Sequence, residues 1–407
     1  MHTTQTESSS SANRTALHAW SDFSLVAGGP LYQLWRRSRL SGEEMQCVRR
    51  RMLFMALLAW VPLLLLSIAE GRAWGSAVAL TFLKDIETHV KLLIAVPLLI
   101  GAEVTVHKRL PLVLRQFLER GLIPDSARAQ FDAAIASGMR LRNSVLAELL
   151  LLLFVYLVGI TWVWRTQSAL DISAWYGVTT QVSLRLSLAG WWAVCVSLPI
   201  AQFLLVRWYF RLFIWGRLLW QVSRMELNLT PTHPDGVVGL HFLAQSRRAY
   251  TPLLLAQGAV LAGMIANRIF YTDAKLMSFK PELLTTVAVM LLVVLGPLLV
   301  FSPKLRATRR MGMEEFGAVG QRYSGEFERK WFRGGAAPGE PLVGSADIQS
   351  LADLRSSYLV VKGVGQTVFS MQNVMELALI TLAPVAPLLL TTFSVEQLME
   401  RVLKALF

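Results

Sequence analysis

Seven stretches of the chain are apolar over the length of about 20 residues that one helix needs to cross a bilayer. They cover residues 52–69, 89–107, 144–164, 186–206, 251–271, 283–302 and 373–393. The pattern predicts an all-α, polytopic membrane protein of seven transmembrane helices with helical cytoplasmic extensions. Between the sixth and seventh runs the period changes. Phe316, Val319, Tyr323, Phe327 and Trp331 recur every three or four residues, and Ile348, Leu351, Leu354, Tyr358 and Val361 do the same. Each set is one apolar stripe on an amphipathic helix. The fourth run continues through VRWYFRLFIWGRLLWQVSRMEL with arginines at 207, 211, 217 and 224, which predicts a helix extending past the membrane.

Composition agrees. Hydrophobic residues make up 54% of the 407 and charged residues 16%, well under the roughly 25% charged of soluble domains. The net charge of +13 fits lysine and arginine retained on cytoplasmic loops, and no basic tract interleaves with aromatics as single-strand nucleic-acid grooves require. With the N-terminus inside and the C-terminus outside, 30 of the 40 lysines and arginines fall on the cytoplasmic side. Trp162, Trp164, Trp191 and Trp192 then lie at the outer interface, the level indoles prefer.

The expected division is a disordered cytoplasmic tail at 1–30, since MHTTQTESSSSANRTALHAW lacks the apolar core of a signal peptide. Six helices with their cytoplasmic extensions follow at 31–302. A cytoplasmic helical loop spans 303–372, and the last helix with a short outer tail spans 373–407. Cys47 and Cys195 form no disulfide or metal pattern.

Candidate chemistry is sparse, and no cofactor is expected. PTHPDGVVGLHFL (231–243) is a turn on the cytoplasmic side: Pro231 and Pro234 stop the incoming helix, and Asp235–Gly236 suits a cap and a turn. His233, Asp235 and His241 are also metal-ligand types, but their spacing fits no metal motif, so any metal is left unknown. Glu103, Glu148 and Glu376 fall near the inner ends of three spans. They read either as an inner-vestibule ring favouring cations or as partners of nearby arginines such as Arg109, Arg140 or Arg142. In the last span Asn373, Thr381, Pro384, Thr391 and Ser394 share one face, a stripe suited to lining a pathway, unless the hydroxyls satisfy their own helix. No residue that ionises lies near a bilayer centre, and enzyme signatures are absent.

PTHPDGVVGL and GSADIQSLADL (344–354) resemble motifs of a family of uncharacterised bacterial inner-membrane proteins. The likeness is clearest from the fourth span onward. It implies a multi-pass place in the bacterial inner membrane and no particular chemistry. In layout alone the chain is similar to insect odorant- and gustatory-receptor channels, which implies a homo-oligomer whose last helix lines a central cation pore. No motif of theirs matches, so none of their residues carries over.

The leading expectation is therefore a channel-like homo-oligomer, ligand-gated and cation-conducting, with its last helix on the pathway and an unidentified small-molecule ligand. One alternative is a non-conducting membrane sensor or scaffold with a protein partner on its cytoplasmic helices. Another is a membrane-embedded enzyme using His233, Asp235 and His241.

Overall fold

A computed structural model describes residues 24–30, 33, 48–76, 78–159, 174–179, 184–272 and 274–391. Its helices are α1 (Val48–Ala69), α2 (Ile86–Glu119), α3 (Asp125–Arg142), α4 (Val145–Gly159), α5 (Leu188–Arg224), α6 (His241–Thr272), α7 (Leu276–Trp331), α8 (Ala346–Lys362) and α9 (Met371–Thr391). A short antiparallel hairpin, β1 (Gly177–Thr179) and β2 (Leu184–Leu186), precedes α5. Six helices (α1, α2, α5, α6, α7 and α9) are long and apolar enough to cross a membrane. A seventh span is reached if α3 and α4, bent by 49°, count as one. The third expected run is the short one: α4 is described to Gly159, and residues 160–164, with Trp162 and Trp164, lie outside the described residues.

The centre of the bundle is α2, α5 and α6. The apolar window of α6 is 56% buried, against 22% for α1, α7 and α9, so the latter form the outer ring. The helix α1 packs on α2 and α5, and α6 packs between α2 and α9. Prolines mark where the rods depart from ideal winding. Wide turns at Val90–Ala95 and Ala193–Ser197 lie just before Pro97 and Pro199, and tight turns at Gly296–Phe301 and Ala383–Thr391 contain Pro297, Pro384 and Pro387. Proline has no N–H to donate and crowds the carbonyl four residues back. Pro199 thus offers nothing to the Cys195 carbonyl, and the Tyr156 hydroxyl of α4 donates to that oxygen at 3.1 Å.

Two ends of the bundle differ. At one, residues 70–76, 78–88, 174–179 and 184–188 and the end of α6 gather: Trp175 N donates to Leu80 O, and the Tyr271 hydroxyl donates to Lys84 O. At the other, rich in arginine, α3, the 225–250 corner and the far half of α7 meet. Here Lys304 Nζ donates to Met225 O at 2.9 Å. The apolar sixth span and the amphipathic helix after it form one helix of 56 residues, about 84 Å long at 1.5 Å per residue, with no break at residue 303. Its stripe packs against α8. The Tyr323 hydroxyl donates to Asp347 O, and Lys330 Nζ and Trp331 Nε1 reach the Asp347 carboxylate at 2.9 and 3.0 Å. The two amphipathic stripes thus serve in part as each other's partner.

One expectation needs correction. Residues 1–23 lie outside the described residues, but 24–30 are no tail. Leu25 and Val26 are buried. The Ser24 Oγ lies 2.8 Å from His107 Nδ1, Gly29 N donates to Asn143 Oδ1, and Arg142 donates to Ser24 O. Gly28 and Gly29 permit this, since a side chain on either would meet Arg142 or Glu148. Their φ of 154° and 88° also suit glycine best.

Candidate functional site

The three expected carboxylates do not form a ring. Glu103 (α2) and Glu148 (α4) join Arg51 (α1), Arg207 and Arg211 (α5) in one buried network. Glu103 pairs with Arg51, with Arg211 at 2.9 Å and with Arg207 at 3.6 Å. Arg207 also reaches Glu148 at 2.9 Å. Side-chain exposure runs from 1% to 11% across the five. The Arg211 guanidinium also sits 4.8 Å over the Trp208 ring. Glu376 is separate and half-buried, held by Arg247 at 2.6 Å. None of the arginines here is Arg109, Arg140 or Arg142; the pairing joins helices distant in sequence.

PTHPDGVVGLHFL folds as a clamped corner. The Asp235 carboxylate accepts from the backbone N–H of Val237, Gly239 and His241 at 2.9–3.1 Å. Two of those donors flank Val238, a fully buried residue with φ of 54°. That conformation costs a β-branched residue about 1–3 kcal/mol, so the clamp holds a strained position. His233 Nδ1 accepts from Asp235 N at 3.2 Å and lies 2.9 Å from Asp235 Oδ1. His241 is exposed and takes part through its backbone. Pro234 is exposed in the turn, and Gly236 has the φ of 69° its turn requires. The corner also seats the helical hairpin: Gly365 N donates to Gly236 O, and Pro231 lies so close to Gly312 of α7 that a β-carbon there would collide. Among the described residues no three His, Cys, Asp or Glu side chains gather where a metal ion could bind.

The stripe on α9 faces inward at Leu377, Thr381 and Leu388, whereas Thr391 at its far end is exposed. Thr381 is buried, its hydroxyl donates to Leu377 O, and its carbonyl touches Gly258 of α6. The Thr391 hydroxyl donates to Leu388 O. Asn373 caps α9, its Oδ1 accepting from Ser370 N. Pro384 also lies against Gly258, and Ser394 lies outside the described residues. The opposite face, with Met371, Met375, Leu379 and Leu390, is exposed.

A site the sequence reading missed lies at the other end of the bundle. A cavity of about 390 Å³ opens between α1, α2, α5 and α6 beneath residues 174–176. Leu63, Leu92, Leu198 and Met264 make its apolar wall. Its polar rim is built on Asp85, buried at the start of α2. The Asp85 carboxylate accepts from Thr88 N and Oγ1, Trp175 Nε1 and Asn267 Nδ2, at 2.6–3.1 Å, so both oxygens are engaged by neutral donors. Glu87 pairs with Lys91 at 2.9 Å. Burial first, then the charges of Asp85 and Glu87, push the Tyr176 phenol up to about 12, which keeps it protonated. Arg268 also lines the cavity. Its guanidinium meets no carboxylate among the described residues and sits 5.9 Å from the centroid of Phe279, the last residue of the tight turn Leu276–Phe279 that opens α7. A warning was present in Asn267, Arg268 and Tyr271, polar groups clustered in the last turns of a span.

Two predictions follow from this chemistry. Removing one member of a buried ion pair typically costs about 3–5 kcal/mol, because the other charges stay behind. Glu103→Ala should therefore lower the thermal midpoint in detergent steeply, with Glu103→Gln lowering it less; an unchanged midpoint would show that the network carries no stability. At the corner, burial raises the Asp235 pKa, but the three backbone N–H groups and His233 outweigh it and hold the carboxyl below its ordinary value. The charge then stabilises the fold above that ordinary value, about 3.9, and the contribution is lost as pH falls through the lower folded value. Asp235→Asn should cost about 1–3 kcal/mol near neutral pH, and the gap to the wild type should close below about pH 4, read by unfolding across pH. The chain matches no protein-family model, and neither a curated protein nor a solved structure matches it.

Proposed function

We propose that this multi-pass membrane protein is a non-conducting sensor: it takes up a small ligand at the outer end of the bundle and passes its occupancy to cytoplasmic helices. One observation carries the reading. Arg268, on the cavity, rests on Phe279, at the foot of a helix that continues to Trp331 at the far end of the molecule. A ligand that draws Arg268 away changes the packing of that foot, and a continuous helix is an element that both ends can bias. The hairpin of α7 and α8 exposes Phe332, Val343, Ile348, Leu359 and Val360, an apolar surface for a protein partner.

In this reading the chain has seven spans, the third of them the one to which α4 belongs. The N-terminus is cytoplasmic, the C-terminus outside and the arginine-rich end inside, in the inner membrane that the two motifs suggest. A conducting homo-oligomer lined by α9 is less supported, because that helix packs on α6 at Thr381 and Pro384 and the residues Met371, Met375, Leu379 and Leu390 that it exposes are apolar.

Two tests apply. In a Cys47→Ser, Cys195→Ser background, a membrane-impermeant maleimide added to intact cells should modify Trp74→Cys, and should modify Val343→Cys only after permeabilisation; the reverse would overturn the orientation. Spin labels at Leu112 and Val343 should report a displaced distance distribution in Phe279→Ala, and an identical distribution would break the proposed link. Unitary currents in a planar bilayer that change with Thr381→Trp would return the protein to the channel reading.

A further inference from the structure

Resting on the sensor reading, the geometry points to a single-chain amphiphile with an anionic headgroup, of the fatty-acid type, as the ligand of the outer cavity. The polarity of the cavity runs in one direction. Leu63, Leu92, Leu198 and Met264 offer a chain an apolar wall, while Asn267, Arg268, Tyr271 and Thr272 stand together at the end of α6. Apolar lining with a few convergent polar groups is the usual character of a small-molecule site.

The charges decide the sign of the headgroup. Four charged side chains line the cavity. Asp85 has both oxygens filled by neutral donors of the protein itself, so it has no acceptor to spare for a cationic ligand. Glu87 and Lys91 neutralise each other one helical turn apart. That leaves Arg268, whose contact is the Phe279 ring and which faces no carboxylate among the described residues. A guanidinium on an aromatic face keeps its N–H fork in the ring plane free for a planar, bidentate acceptor, and a carboxylate has that shape. Asn267 Nδ2 and the protonated Tyr176 phenol supply the surrounding polar rim.

Size decides between a free chain and a bilayer lipid. At about 390 Å³ the cavity is near the lower end of the roughly 300–1,000 Å³ range of ligand pockets, room for one hydrocarbon chain and not for the two of a phospholipid. Because the cavity lies among span-length helices, a single-chain amphiphile dissolved in the outer leaflet would reach it tail-first with its headgroup held at the Arg268 level. Occupancy by an anion would also pull the guanidinium off Phe279, which ties ligand charge to the foot of α7.

The test uses the full-length protein in nanodiscs, with radiolabelled stearate as the probe and empty nanodiscs as the background. Saturable binding at one site per chain is expected. Stearyltrimethylammonium should compete at least tenfold more weakly than unlabelled stearate, and added dioleoylphosphatidylglycerol should not compete. Arg268→Gln should weaken stearate binding about tenfold or more and remove the preference for the anionic chain. Arg268→Lys should keep the preference with reduced affinity. Circular dichroism and the thermal midpoint establish that each variant is folded. Equal competition by the cationic chain, or unaltered stearate binding in Arg268→Gln, would overturn the anionic ligand while leaving the cavity a ligand site. Competition by the two-chain lipid would make a bilayer phospholipid the occupant. No saturable binding of either single chain would overturn both this inference and the sensor reading of the cavity.

Discussion

Three guanidiniums and two carboxylates buried among membrane-spanning helices set the terms for half of this fold. Charges of this kind are tolerated in a span only when they face one another inside the bundle. Arg51, Glu103, Glu148, Arg207 and Arg211 come from four helices, so satisfying all of them together places α1, α2, α4 and α5 relative to each other. Helices that share a bilayer gain little from hydrophobic burial against one another, because lipid is as apolar as leucine. A network that is costly in every other arrangement therefore contributes specificity that side-chain packing alone does not. Its cost is that each member depends on the rest.

The remaining helices are joined by close approach. Gly258 lets the α9 backbone reach α6 at Thr381, and Gly312 lets the 231–240 corner reach α7. At those two points small residues replace charge as the means of fixing neighbours. The corner then connects three elements at once, since Asp235 orders its backbone, Pro231 meets α7 and Gly236 accepts from Gly365. The two most conspicuous polar motifs of the chain thus serve the assembly of the arginine-rich end, and the open cavity lies at the other end.

What was legible in the sequence follows from range. Apolar runs and helical periods are local, and they give the six span-length helices, the extension of α5 and the stripes of α7 and α8 directly. The Asp235 turn is local too, and Pro-Asp-Gly states it. The partners of Glu103 are not local: they stand 52, 104 and 108 positions away, and nothing in the spacing selects Arg51, Arg207 and Arg211 over closer arginines. Inward packing of the α9 stripe was hidden for a similar reason. A face bearing Thr381 and Thr391 is compatible with water or with a neighbouring glycine, and only the position of Gly258 separates the two. The packed Ser24–Gly29 segment was masked by the polar sequence before it. The cavity depends on Asp85, Trp175 and Asn267 meeting from three segments, and its one local trace was polar clustering at the end of a span.

The length of α7 has a mechanical consequence of its own. About 45 Å of the helix continues past residue 301 at 1.5 Å per residue, so a tilt of about 5° within the membrane carries its tip through about 4 Å. Spans change tilt when the bilayer thins or thickens, at a cost of a fraction of a kcal/mol per ångström of mismatch. On the sensor reading proposed above, the hairpin at the tip would therefore amplify membrane thickness as well as any event at the foot, and lipid composition would set the zero from which its displacement is measured.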